Sequence, residues 1–333
     1  YFQYYYNFFL KYKSLPIWID YLDGGFPSIL PLQIEGGVFL YFFVIFGSIF
    51  QSAFFSFHLY CLTIYFVFCY GFYQNIKISN NIKSSNKIKI FLIITSIFLF
   101  STDFFYLNNM HLSAAIFLII FYKIRKFFIN LKFIELLKIY LFSISMFFMF
   151  PHYANIINFF YIPLMIFIFS FFLNYKKINN IKFKSKYYLY IFSSLFLSFI
   201  LVKILIYEKS LYYFIATDRL ENGKVLFEDF LNRRAGDIKN FIGYWLYQEH
   251  TLNIYPVCLT PVGIYIFIIT ILNKKLYSDK DNITYIFSLV IIFLISFSNN
   301  FYFFSNFFMK TLFQFPMVDY VRNLLNTIYL FKP

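Results

Sequence analysis

Apolar residues fall along this chain in long runs separated by short polar connections. Runs of spanning or near-spanning length cover 53–74, 90–103, 106–122, 137–151, 156–174, 187–206, 257–272 and 283–298. A helix that crosses a bilayer needs roughly 20 predominantly apolar residues, so flanking Tyr, Asn and Lys must complete several of these. The pattern predicts an all-α fold, a polytopic transmembrane helical bundle of about eight spans. Residues 37–50 are apolar too, and read either as a short interfacial helix or as the first half of a long tilted one. The implied organisation is an external loop with an interfacial helix (1–52), transmembrane helices (53–206), an external loop with a short amphipathic helix (207–256), and transmembrane helices with an external C-terminal segment (257–333).

Charge orients these runs. The connections 75–89, 123–138, 175–186 and 273–282 alternate with the others and carry 17 of the 29 Lys and Arg, but only Glu135, Asp279 and Asp281 of the fifteen acids. Lys and Arg accumulate on the cytoplasmic side of membrane proteins. These four connections are therefore expected inside, and 1–52, 104–105, 152–155, 207–256 and 299–333 outside. The net charge of +14 then reads as an orientation signal plus contact with anionic lipid. It is no nucleic-acid footprint, because no basic patch with interleaved aromatics lies outside this arrangement. Composition agrees: 61% of residues are hydrophobic and 27% aromatic, against roughly 45–50% apolar in soluble domains. The mean hydropathy is +0.66.

The opening 35 residues, YFQYYYNFFLKYKSLPIWIDYLDGGFPSILPLQIE, combine aromatics, turn formers and acids. Pro16, Pro27 and Pro31 forbid a continuous helix, since proline lacks the N–H donor and clashes with the preceding turn. Gly24-Gly25 stands between Asp23 and Phe26, close to Asp20, as in a turn. Trp18 and the tyrosines suit a membrane–water boundary. The segment is expected to be an ordered loop on the bilayer face. The chain opens inside this loop without an initiator Met, which points to a piece lacking an upstream helix. In the second external excursion, Val225, Leu226, Phe230 and Leu231 recur at helical spacing, which predicts a short amphipathic helix over 224–234 closed by Gly236.

Candidate chemistry is sparse. Three cysteines (Cys61, Cys69, Cys258) lack metal spacing and read as small buried hydrophobes. The histidines form no HxxxH or HxH pair, so zinc and haem have little support, although a divalent metal is left open. His58 reads as a packed residue inside an apolar run. His111 and His152 each fall at an external boundary of consecutive runs and are candidate substrate contacts; the alternative is an interfacial polar anchor. Asp103 ends a span, where an ionisable residue is costly and is a candidate for function; the alternative is a helix-end side chain that snorkels to water. Asp20 and Asp23 are candidates for acid–base work, with turn formation as the alternative. Phosphate-binding glycine loops and nucleophile elbows are absent from the sequence.

The segment LPIWIDYLDGGFP resembles the first external loop of the large bacterial membrane glycosyltransferases of the type-C fold, the YfhO-like branch in particular, whose loop reads G-x-L-P-L-W-N-P-Y-x-x-G-G-F-P. Leu15, Pro16, Trp18, Tyr21, Gly24 or Gly25, Phe26 and Pro27 match; Ile19-Asp20 replaces the usual Asn-Pro. STDFFYLNNMHLSAAIF, FPHYANIINFFYIPL and TLFQFPMVDYVRN resemble later external segments of that class, with His152 and Arg322 at a histidine and an arginine position. The resemblance implies sugar transfer from a polyprenyl-phosphate sugar to a cell-envelope acceptor, on the extracytoplasmic face of a bacterial plasma membrane. It also implies an aspartate base, usually just after the first span and hence upstream of Tyr1. Asp20, Asp23 or Asp103 would then assist at the acceptor. Arg219, Arg233 or Arg322 would hold the donor phosphate, with Trp18 at the substrate.

Two other classes compete with an enzyme. A transporter or flippase of the same plan would show paired, pseudo-repeated broken helices, and none is visible in the sequence. A divergent organellar respiratory-complex membrane subunit without catalysis is favoured only by the Phe, Ile, Tyr, Asn and Lys excess, which looks like AT-rich coding.

Overall fold

A computed structural model describes residues 2–14, 18–19, 26–27, 37–79, 84–99, 109–149, 157–179, 227, 268–269, 272, 280–296 and 298–314. The framework is all-helical. Its elements are α1 (Phe2–Tyr12), α2 (Gly37–Ile49), α3 (Ala53–Ile78), α4 (Ser84–Leu99), α5 (Asn109–Asn130), α6 (Phe133–Met149), a π-helical turn (Ile157–Tyr161) leading into α7 (Ile162–Leu173), α8 (Tyr175–Asn179) and α9 (Lys280–Ser296). A 3-10 turn (Ser298–Asn300), a second π-helical turn (Phe304–Met309) and α10 (Lys310–Phe313) follow. The exception to helix is a two-residue antiparallel pairing of β1 (Trp18–Ile19) with β2 (Phe26–Pro27), in which Trp18 stands opposite Pro27 and Ile19 opposite Phe26.

Side-chain pairings fix the helix directions. Tyr73 meets Phe91, and Lys87 donates to the Lys77 carbonyl, so α3 and α4 are antiparallel. Gly71 lies against Ala115, Leu118 and Ile119, while Asn75, one turn on, meets Leu118 and Arg125, so α5 runs with α3. Lys126 pairs with Glu135 across the α5–α6 turn, making those helices antiparallel. Asn158 meets Ser113 and Phe167 meets Phe128, so α7 runs with α5. Ser170 meets Thr284 and Phe169 stacks on Phe287, so α9 runs against α7. Direction thus alternates from α3 through α7, and α9 returns. Every described Lys and Arg from Lys77 to Lys280 consequently lies within two turns of one end of these helices.

α5 is the central helix. Leu112, Ile116, Ile120 and Ile124, one stripe at spacing four, are among the most buried large side chains in the molecule. Its first three turns are buried on nearly all sides, as expected of a helix that is apolar all round. Small polar residues mark helix contacts: Ser56, Thr95, Ser113, Ser170 and Ser288 are buried. Thr95 and Ser288 return their hydroxyls to the carbonyl four residues back, which satisfies both donors. Large apolar side chains such as Phe54, Phe66, Ile93, Phe172 and Phe303 lie exposed on the outside.

Several expectations change. The opening residues are no single loop: Phe2–Tyr12 is a helix. All three prolines come after residue 15, so nothing breaks it, and Gln3 donates to Asn7 one turn on. Tyr5 is 0% exposed and packs with Tyr6 and Val44 rather than wetting its hydroxyl at a boundary. Residues 37–50 are not continuous with the next span. The chain reverses at 50–52, with Gln51 at φ 53° and Ser52 capping α3 by accepting from the Phe55 N–H at 3.1 Å. α2 then lies antiparallel along α3, through Ser56 donating to the Phe43 carbonyl, Phe43 against Tyr60, and Gly47 directly on the Ser56 side chain. His58 is exposed; its Nδ1 stands 2.8 Å from the Phe54 carbonyl of its own helix, which satisfies it in an apolar setting.

By length and composition, α3 is long and apolar enough to cross a membrane among the described residues. Asn158–Leu173 and Asn282–Ile295 are shorter apolar helices.

Candidate functional site

Two polar centres stand at opposite ends of the central helix. The first is built where α3, α5, α6 and α7 bring their cation-bearing ends together. Asn75, one turn after Gly71, donates to the Gly71 and Leu118 carbonyls, each at 2.8 Å. Arg125 donates from Nη1 to the Asn75 carbonyl at 2.9 Å and to Asn75 Oδ1 at 3.1 Å, with Phe121 under its guanidinium. Arg125 is 8% exposed, so this single asparagine side chain binds two helices and holds a nearly buried cation. Gly71 permits the approach: a Cβ there would stand 3.0 Å from Leu118 Cβ and 3.2 Å from Ile119 Cγ1.

Next to it Glu135, 6% exposed, is ion-paired with Lys126 at 3.7 Å and Lys138 at 3.5 Å. Lys123 lies half-buried beside this group. Burial is the main cause that pushes its ammonium below the ordinary lysine value; Glu135 opposes that shift and the neighbouring Lys138 and Lys126 add to it. Lys177 donates to the Phe128 and Ile129 carbonyls at the C-terminal end of α5, where a cation meets the negative end of the helix dipole. This end can hold anionic groups. Among the described residues it contains one buried carboxylate, Glu135, held in ion pairs.

The second centre is at the start of α5. His111, 7% exposed, and Ser113 lie in its first turns. Asn158, 1% exposed, faces them from the π-helical turn and donates to Ser113 Oγ at 3.1 Å. Pro163 explains the widened turn: it supplies no N–H for the carbonyl four residues back. Asn158 Oδ1 finds no hydrogen-bond donor among the described residues. The C-terminal end of α9 and the second π-helical turn lie at the same end, where Phe227, from the predicted amphipathic helix, packs edge-on against Phe313.

Of the sequence-predicted site residues, His111 is placed, and it is buried. Trp18 is placed by its backbone, in the pairing with Pro27. Asp20, Asp23, Asp103, His152, Arg219, Arg233 and Arg322 lie outside the described residues, as do Cys258 and the remainder of 224–234. Cys61 is buried and Cys69 half-buried. Among the described residues no three His, Cys, Asp or Glu gather as a metal site. Sequence reasoning missed Asn75, Arg125 and Asn158. Asn75 and Arg125 were counted only as parts of polar connections, and their contact spans 50 residues, which no local pattern reveals. Pro163 behind Asn158 was the available signal for an irregular turn.

Compared with family models, with curated proteins and with solved structures, the chain finds no match.

Proposed function

We propose that the chain is a polytopic integral membrane glycosyltransferase of the bacterial plasma membrane. It would move a sugar from a polyprenyl-phosphate donor to a cell-envelope acceptor on the extracytoplasmic face. The observation that carries the membrane part is the joint occurrence of alternating helix directions and cations gathered at one end, on a body whose outer surface exposes Phe54, Phe66, Ile93 and Phe172. Such a surface in water would be an aggregation liability; in lipid it is the favourable solvent contact. The cationic end faces the cytoplasm, and the start of α5, the π-helical turns and the opening segment face outward.

Sugar transfer is supported by the likeness of the LPIWIDYLDGGFP segment. In that same segment Trp18–Ile19 pairs antiparallel with Phe26–Pro27, which fits an ordered substrate-facing segment. In this reading Asp20, Asp23 or Asp103 deprotonates or positions the acceptor, and Arg219, Arg233 or Arg322 grips the donor phosphate in a planar fork. Trp18 and His152 contact substrate. His111, being buried, positions the start of α5.

The test is transfer of radiolabelled sugar from polyprenyl-phosphate hexoses by the full-length protein in proteoliposomes. Replacing the acting aspartate by asparagine is expected to lower turnover by about 10²–10⁴, and replacing the gripping arginine by alanine to raise KM for the donor. No transfer by the unaltered protein across a panel of hexoses, or unchanged rates in Asp20→Asn, Asp23→Asn, Asp103→Asn and Arg322→Ala alike, would overturn it.

A further inference from the structure

We propose that Lys123, Lys126 and Lys138, in the groove between α5 and α6, form a saturable site for the phosphate of one anionic lipid. The proposal rests on the membrane part of the reading above and not on sugar transfer. Glu135 sets the geometry: the Lys126 ammonium lies 3.7 Å and the Lys138 ammonium 3.5 Å from its carboxylate. Phe142 is one turn further along α6 than Lys138, and Lys123 Nζ lies over its ring, 5.2 Å from the centroid. Lys123 is likewise one turn further from the cationic end of α5 than Lys126. Three ammonium groups thus converge on one carboxylate, which leaves three positive charges against one negative.

This excess differs from the general attraction of a basic end for anionic lipid, because it is partly withdrawn from water. Lys123 is half-buried, and burial holds its ammonium below the ordinary lysine value despite Glu135 nearby. A phosphate seated there would supply the missing counter-charge and accept charge-assisted hydrogen bonds from the three ammonium groups. Depth and surroundings select a lipid over a soluble phosphate. Lys123 stands seven residues before Asn130, the end of α5, roughly 10 Å at the helical rise. Leu137 and Leu141, both exposed on α6, flank Lys138 and continue away from the cationic end. An acyl chain can lie along them while its headgroup meets the lysines. Basic pockets between transmembrane helices on the cytoplasmic side bind phosphate headgroups in this way.

The experiment titrates the full-length protein in maltoside micelles with dioleoyl phosphatidylglycerol, dioleoyl phosphatidylcholine or inorganic phosphate, and counts bound molecules by native mass spectrometry. One phosphatidylglycerol is expected to bind saturably and in preference to phosphatidylcholine. Lys126→Gln and Lys138→Gln should each weaken it about fivefold, and Lys123→Met at least as much. Lys89→Gln removes the same charge at the same end, on α4, which packs against α3, and should leave the affinity unchanged. Equal weakening in Lys89→Gln and the three groove variants would overturn the site and leave the membrane reading standing. Inorganic phosphate displacing the lipid at equal concentration would overturn the lipid assignment. An unaltered protein that stays monodisperse without detergent would defeat the membrane reading, and this proposal with it.

Discussion

Replacing Asn75 by alanine is expected to loosen the contact between α3 and α5. Three hydrogen bonds go: Nδ2 to the Gly71 carbonyl, Nδ2 to the Leu118 carbonyl, and Arg125 to Oδ1. The first lies within one helix and matters little. A neutral bond between helices in a membrane bundle contributes about 0.6 kcal/mol. A bond from a charged donor contributes about 1.5–3 kcal/mol, and the lower half applies because Arg125 keeps the Asn75 carbonyl at 2.9 Å. The sum is a loss of about 2–3 kcal/mol. Equilibrium unfolding in mixed micelles of rising denaturing-detergent fraction would measure it. Asn75→Asp sharpens the test, because aspartate accepts from Arg125 but cannot donate to Leu118, so it should recover part of the loss. A change below about 0.5 kcal/mol in Asn75→Ala, the range typical of neutral surface sites, would refute the cross-brace.

The remaining expectations use the same measurement. Gly71→Ala should cost about 1–3 kcal/mol, because its new methyl meets Leu118 and Ile119 at overpacking distance; an unchanged midpoint would show that α3 and α5 can part. Gln51→Gly should stabilise by up to about 1 kcal/mol, since a non-glycine residue at φ 53° is relieved there; a loss would mean that the glutamine side chain holds the turn. Glu135→Gln should destabilise by leaving Lys126 and Lys138 without their counter-ion, and added salt should restore part of the loss. Lys123 loses its proton more easily folded than unfolded, so its charge opposes folding near neutral pH, and stability should rise as pH climbs through the window just below 10.5. Lys123→Met should remove that rise, and an identical pH profile would contradict the burial of the ammonium.

Much of the bundle was legible from two patterns, apolar run length and lysine placement. They anticipated the helices from α3 to α7 and their alternating directions. The helical opening was missed because the prolines were read as governing the whole segment, although a proline breaks only the turn around it. The reversal at Gln51 was missed because the chain has ten glycines in all and makes this turn without one; the left-handed position is occupied by a residue with no strong preference for it. Likewise Lys13 and Leu131 take positive φ where α1 and α5 end. The polar centres were illegible for a different reason. Asn75 with Arg125 and Asn158 with Ser113 join residues 50 and 45 positions apart, and hydrophobic periodicity carries no information on which polar side chains face each other.

The most direct measurement is a set of reporter fusions that are active on opposite sides of the bacterial membrane, placed after Asn80, Phe105, Leu131, Tyr153 and Asn180. Alkaline phosphatase, which needs the oxidising exterior, should be active after Phe105 and Tyr153 and silent after Asn80, Leu131 and Asn180. A cytoplasmic fluorescent reporter should give the reverse. The same side reported at Leu131 and Tyr153 would mean that α6 does not cross, and the proposal of an outward-facing sugar-transfer site would lose its foundation.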